Sequence, residues 1–259
     1  MDAHRDHADF WHVQDFTMTD TTAVVARGLG GGFGLEYVGS LRQITSRIRF
    51  EDLDRRPLVV ADGDIHHRNE TLIGPGDPWL MAVASGRVGA WSAALRGGVT
   101  IPLGKTEENP FELGRRGLPH QHVQFGTGTW DPLAGAGVAR RFGEVMTTVG
   151  VLARLPVSEN RHGYRAGRRL QLTTNADRRI RGPWRAQAGF DYAHEAAERW
   201  DGKIEEEGNL GRSDLLLSTG IVRQFASRAL VLTVKLPLRT RSNGVQVEYP
   251  AIVTLGWAE

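Results

Sequence analysis

Long stretches of this chain alternate apolar and polar residues with period two, the pattern of an extended strand whose successive side chains fall on opposite faces. From 184 to 195 one face reads Trp184, Ala186, Ala188, Phe190, Tyr192 and His194, and the other Arg185, Gln187, Gly189, Asp191, Ala193 and Glu195. From 91 to 103, Trp91, Ala93, Leu95, Gly97, Val99, Ile101 and Leu103 oppose Ser92, Ala94, Arg96, Gly98, Thr100 and Pro102. Val145, Thr147, Val149, Val151, Ala153 and Leu155 oppose Met146, Thr148, Gly150, Leu152, Arg154 and Pro156, and Leu230 to Leu238 repeat the split around Thr233 and Lys235. Residues 33 to 42 follow, with Phe33, Leu35, Tyr37, Gly39 and Leu41 on one face and Glu36, Val38, Ser40 and Arg42 on the other. The stretch from 164 to 175 fits less well, because Arg168 shares a face with Tyr164, Leu170 and Leu172.

Such strands suit a wall between lipid and a wet lumen. A soluble sandwich or a lipocalin-like barrel also alternates, but its charged face would lie outside and its Gly-rich apolar face would have to fill a core. Apolar residues make up 40% of the chain and no run approaches the roughly eighteen that a spanning helix needs, which excludes a helical membrane protein. The 32 glycines suit many strands joined by turns. With no cysteine there is no disulfide framework and no thiolate metal site. The formal charge of +2 comes from 32 basic and 30 acidic residues without a basic block, so nucleic-acid binding is not expected.

Connections alternate in length, with short turns near 86–89, 141–144, 176–182 and 224–228 and longer polar loops near 45–76, 104–118, 157–162, 196–212 and 240–245. The expected fold is all-β: an antiparallel transmembrane up-and-down β-barrel of ten to twelve strands. Ten strands run from Phe33 to the one spanning 246–257, residues 21–28 offer an eleventh, and residues 1–20 supply no clear twelfth. The chain thus divides into a polar N-terminal segment, 1–32, with room for one strand, and a barrel, 33–259. Residues 1–20 lack the apolar core of a secretory signal, and the expectation is of a signal removed, with Met1 a late start. On the last strand Tyr249 and Trp257 sit eight residues apart on one face. At about 3.3 Å per residue and about 40° tilt that is roughly 20 Å along the membrane normal, the height of an apolar belt between two aromatic girdles.

Inward positions carry Arg42, Arg96, Arg154, Arg165, Arg169, Arg185, Lys235 and Arg239 against Glu36, Asp191, Glu195 and Asp214. This excess of cations predicts partial pairing, with Asp191 and Glu195 bridging to neighbouring arginines, and a bias toward small anionic or aromatic-acid solutes. His120 and His122 fall on one side of an expected strand and join the lumen set. That pair, and the loop pair His66 and His67, invite a metal reading, although solvation and hydrogen bonding account for them more simply. Glu107, Glu108, Asn109, Glu206 and Glu207 are weak candidates for a hard cation such as calcium, held in the loops or bridging to lipopolysaccharide. No local motif pairs a nucleophile with a histidine and an acid, so neither an enzyme nor a cofactor is expected.

The segments GPGDPWL (74–80), GVTIPLGKTEENPF (98–111), HQHVQFGTGTWDP (120–132), ENRHGYRAG (159–167) and KLPLRTRSNGVQVEYP (235–250) resemble a family of bacterial outer-membrane putative transporters related to proteins of the meta-pathway of phenol degradation. The resemblance runs from about Gly32 to Trp257. It implies an outer-membrane barrel with a transport role and brings no catalytic residues. One departure is the end of the chain, Gly256, Trp257, Ala258 and Glu259, where such barrels end on an aromatic residue. The function expected is therefore a channel for small solutes in the bacterial outer membrane, with membrane lipid and lipopolysaccharide as partners. A plugged structural or adhesive barrel and a barrel-borne hydrolase are the alternatives.

Overall fold

The structure of the protein is a computed structural model that describes residues 2–4, 10–59, 69–244 and 248–259. In chain order its elements are β1 (Asp2–His4), β2 (Trp11–Gly30), β3 (Phe33–Glu51), β4 (Pro57–Leu58), β5 (Glu70–Pro75), β6 (Trp79–Val88), β7 (Trp91–Thr100), α1 (Pro110–Arg115), β8 (Pro132–Phe142), β9 (Val145–Arg154), β10 (Tyr164–Arg165), β11 (Arg169–Arg181), β12 (Trp184–Ala196), β13 (Arg199–Trp200), β14 (Gly211–Phe225), β15 (Arg228–Ser242) and β16 (Ile252–Ala258). One antiparallel sheet runs in the order β1-β2-β3-β6-β7-β8-β9-β11-β12-β14-β15-β16, with β4 and β5 also paired to β3. β10 and β13 make a separate two-stranded ribbon.

The ten strands expected from Phe33 onward are present as β3, β6 to β9, β11, β12 and β14 to β16. The N-terminal segment holds more strand than its polarity suggested. β2 extends over 11–30 and pairs with β3 from Trp11↔Glu51 to Gly30↔Phe33, while β1 touches only the far end of β2, at Gln14 to His12. Polarity hid β2 because it forms one end of the sheet, and Thr17 to Gly30 are exposed on both faces. The sheet curls into a half-barrel: Gln14 on β2 and Arg212 on β14, eight strands apart in the order, line one cavity.

Its two rims differ. Five connections, 31–32, 89–90, 143–144, 182–183 and 226–227, are two-residue turns. Four of them open on a glycine with positive φ, and the fifth opens on Ala226 at φ 48°. Such tight hairpins need the left-handed region, which glycine enters without a Cβ clash. The opposite rim carries longer connections, among them 101–131, 155–168 and 197–210. Between the rims the outer face exposes Leu95, Val149, Leu170, Leu172, Phe190, Leu232 and Val253, an apolar belt too extensive for a monomer in water. At the short-turn rim the belt ends in rings. Trp91 meets Phe142 edge-on at 6.2 Å, Phe225 lies 6.3 Å from Trp257, and Arg140 and Arg223 stack over Trp91 and Trp184 at 5.2 and 5.3 Å.

The expected outer girdle needs revision on the last strand. Tyr249 precedes β16 and turns its ring toward Arg212, whose guanidinium lies 5.1 Å from the ring centroid. Pro250 cannot donate to a ladder, so regular pairing starts only at Ile252. Val247, which shares the sequence period of Tyr249 and Trp257, lies outside the described residues.

Candidate functional site

The long-connection rim folds inward because a break in one strand aims a carboxylate into the lumen. β5 and β6 pair with the same strand, β3, on either side of Gly76, Asp77 and Pro78. Three residues there oppose two, Gly39 and Ser40, which makes a bulge, a device that re-aims a side chain. Asp77, only 9% exposed, accepts from the Gly104 and Thr127 amides at 2.8 and 2.6 Å and from Thr127 Oγ1 at 3.0 Å. A Cβ on Gly126 would stand 2.3 Å from its Oδ1, so only glycine lets the chain pass this close. The segment 121–127 is thereby held against the inner wall.

Further bonds join this segment to the other long connections. Asn160 donates from Nδ2 to the Thr127 carbonyl at 3.0 Å, while its Oδ1 accepts from the amides of His162 and Tyr164. Asn109 caps α1 with Oδ1 and donates from Nδ2 to Asp201 at 2.8 Å. Trp200, 1% exposed, sits among Phe111, Tyr164 and Ala166, with Tyr164 4.8 Å and Phe111 6.2 Å away by ring centroid. This apolar knot caps one side of the lumen mouth. Glu198 lies beneath it and accepts from Trp200 Nε1 at 3.1 Å and the Asn209 amide at 3.3 Å. Burial pushes its carboxyl above the ordinary glutamate value despite these bonds, and burial likewise raises the Tyr164 phenol.

Below the cap lies a cavity of about 1010 Å³, walled by β2, β3 and β5 on one side, segment 121–127 on another and the tops of β9, β11, β12 and β14 on a third. Of the residues expected in the lumen, Arg42, Arg154, Arg169, Glu195 and His122 line it. Arg169 bonds Glu195 at 3.2 Å on the adjacent strand, and Arg42 bonds Asp20 at 2.8 Å. Deeper in the sheet, Arg96 reaches Glu36 across β6 at 3.2 Å, Lys235 reaches Asp191 across β14 at 3.0 Å, and Arg185 grips Asp177. Asp191 thus pairs with a lysine two strands away, where a neighbouring arginine was expected. Arg239 is exposed on β15 and lines no part of the cavity.

Three expectations are corrected. Arg165 lies outside the lumen: Tyr164 takes the inward place, because the stretch between β10 and β11 is irregular and the faces exchange across it although the register is kept. His120 and His122 occupy an irregular segment; His120 is buried and its Nδ1 lies 2.8 Å from the Leu118 carbonyl, while His122 packs 5.3 Å from Phe111. The loop oxygens also do not gather: Glu206 and Glu207 face the cavity, Glu107 bonds Lys105, Glu108 is exposed, and Asn109 is occupied by α1 and Asp201. Among the described residues no group of three or more His, Asp or Glu is placed to hold a metal ion. His66 and His67 lie outside the described residues.

The charge balance changes with the geometry. The cavity presents four guanidiniums, Arg42, Arg154, Arg169 and Arg212, against seven carboxylates, Asp20, Glu70, Asp77, Glu195, Glu198, Glu206 and Glu207. Loop acids that strand periodicity does not place supply the difference. The anchors Asp77, Thr127 and Asn160 escaped strand reasoning too, although all three lie within the motifs GPGDPWL, HQHVQFGTGTWDP and ENRHGYRAG, and a GDP break inside an alternating run was a usable signal.

Neither protein-family models nor curated proteins give a match to the sequence. Among solved structures the chain is similar to an outer membrane channel from Pseudomonas putida F1, with a TM-score of 0.57 and 13% identity over 98% of this chain and 87% of that one. The likeness is one of fold, and it places the curled antiparallel sheet with outer-membrane β-barrels.

Proposed function

We propose that the protein is a bacterial outer-membrane channel for small solutes, akin to the outer-membrane transporter family that its motifs resemble. The observation that carries this reading is a charge-lined cavity of about 1010 Å³ inside a sheet whose outer face is an apolar belt. A lining with more carboxylates than guanidiniums attracts cations and lowers the local concentration of anions, so the anion and aromatic-acid preference expected from strand pattern loses its basis. Purified protein in a planar bilayer is expected to conduct, with a reversal potential in a salt gradient on the cation side. Absence of conductance would overturn the channel reading; anion preference would overturn the selectivity.

A second reading, a barrel plugged for a structural or adhesive role, is favoured by the inward segment 121–127 and the knot around Trp200. A plug held by so few anchors should open when one is removed, and a protein that stays silent after loss of Asp77 favours the second reading.

A further inference from the structure

Outside the barrel, just above the apolar belt, three arginines share one hollow. Arg165 on β10 and Arg199 on β13 are direct partners across the ribbon, and Arg168 immediately precedes β11. The three line a cavity of about 390 Å³ whose floor and walls are small or apolar: Pro156, Ala166, Ala196, Ala197 and Ile204. The backbone enforces the arrangement. The ribbon continues the β11–β12 hairpin upward in unchanged register, from Arg169↔Glu195 to Arg165↔Arg199. Between these pairs, Gly167 passes so close to Ala196 that a Cβ would strike its carbonyl. With Tyr164 and Trp200 turned inward to the knot, Arg165 and Arg199 must face outward.

Like charges directly opposite each other on paired strands are destabilising unless something neutralises them. Among the described residues none of the three has a carboxylate within ion-pair distance; Arg199 spends one N–H on the Gly202 carbonyl at 2.9 Å, which fixes its guanidinium. The level is also informative. Arg168 bonds through its carbonyl to the Ala196 amide, twelve residues above the girdle residue Trp184 on β12. At about 3.3 Å per residue and about 40° tilt that is roughly 30 Å, against an apolar belt of about 25 Å. Directly beneath, Leu170, Leu172 and Tyr192 present an apolar column on the outer face. Guanidiniums that fork onto phosphate oxygens, above a wall for acyl chains, match one ligand chemistry: a phosphorylated lipid headgroup of the outer leaflet.

We propose that Arg165, Arg168 and Arg199 form a binding site for the phosphate of a lipid A-type molecule in the outer leaflet. The inference rests on the outer-membrane reading and requires no divalent bridge. The test uses the full chain in detergent, with binding read by native mass spectrometry. The probes are bis-phosphorylated lipid A, the same lipid stripped of phosphate, and inorganic phosphate. Phosphorylated lipid A is expected to bind, with affinity falling about fivefold per arginine replaced and about a hundredfold in R165Q/R168Q/R199Q. Equal binding of the stripped lipid, unchanged affinity in the triple variant, or inorganic phosphate bound as tightly as the lipid would each overturn the site. Bilayer conductance of the same triple variant separates the two readings. A variant that conducts normally but binds lipid A undiminished removes the site and leaves the channel, whereas a wild type that never conducts removes the channel.

Discussion

The short-turn rim and the long-connection rim are built on opposite principles. At the first, everything is local: a two-residue turn, an aromatic residue beside it and an arginine on the neighbouring strand recur around the sheet, as with Trp91 and Arg140 or Trp184 and Arg223. At the second, structure depends on partners far apart in sequence. Asp77 holds Thr127, Asn160 holds Thr127 from the other side, and Asn109 reaches Asp201, 92 residues away. A local rim needs no particular partner elsewhere, so it anchors the sheet; a rim assembled from a few buried polar bonds can rearrange, and in the proposed channel that is the end where opening and shutting would occur.

Removing the central anchor should break this contrast most visibly. Asp77→Ala leaves the Gly104 and Thr127 amides without their acceptor in a buried place and leaves the Thr127 hydroxyl only the Thr129 carbonyl, 3.2 Å away. Two to three charge-assisted bonds of this kind are together worth about 5 kcal/mol of local stability. Segment 121–127 should leave the inner wall, conductance should rise, and trypsin should cut after Lys105, Arg115 or Arg116 in the protein as purified. The sheet should be spared, with unchanged circular dichroism. Asp77→Asn, which keeps one acceptor oxygen, should fall between. A variant that folds, resists trypsin and conducts as before would mean that the two rims are equally robust.

The same contrast governs what was legible. Period two and the turn glycines locate β7, β9, β12 and β15 to within a few residues, because a one-residue slip would send every side chain to the other face, whereas the expected strands 164–175 and 246–257 begin five and six residues before β11 and β16. They also single out Arg42, Arg154, Arg169 and Glu195, which line the cavity. They fail where the chain leaves the ladder. Arg165 changes face across the irregular stretch 166–168, Tyr249 turns in before Pro250, and the acids Glu198, Glu206 and Glu207 enter the cavity from connections that have no period at all. β2 was legible only over 21–28, because an end strand exposed on both faces from Thr17 to Gly30 carries no apolar stripe to detect.

A smaller effect, confined to pH, should sharpen the comparison. Burial raises Glu198 above its ordinary value, so the folded cap prefers the protonated acid. The resulting stability is fully present below the unfolded glutamate value of about 4.5 and is lost as pH rises through the elevated folded value. The cap around Trp200 should therefore loosen on going from acid to neutral pH, seen as faster amide exchange of residues 197–210 and more frequent channel opening. Glu198→Gln, which stays neutral, should flatten both profiles while leaving exchange at the short turns unchanged. A wild type whose exchange in 197–210 ignores pH would show that this carboxyl does not control the cap.

The smallest effect belongs to the local rim, and it tests whether that rim answers only to its own residues. Ala226 occupies the first turn position at φ 48°, where four equivalent turns carry glycine, Gly182 among them at φ 54°. An L side chain in the left-handed region costs about 1–2 kcal/mol, partly offset by the extra chain entropy that glycine loses on folding. Ala226→Gly should thus stabilise the protein by a few tenths to about 1 kcal/mol, and Gly182→Ala should destabilise it by a similar amount. Neither should alter conductance or lumen selectivity, since no Cβ built at Gly182 meets an atom within 4 Å and the turn lies at the opposite rim from the cap. Reversible denaturation from lipid vesicles gives both values. If the two substitutions fail to differ in sign, or either changes the conductance, the short-turn rim is coupled to the lumen and the division between anchoring and gating ends must be redrawn.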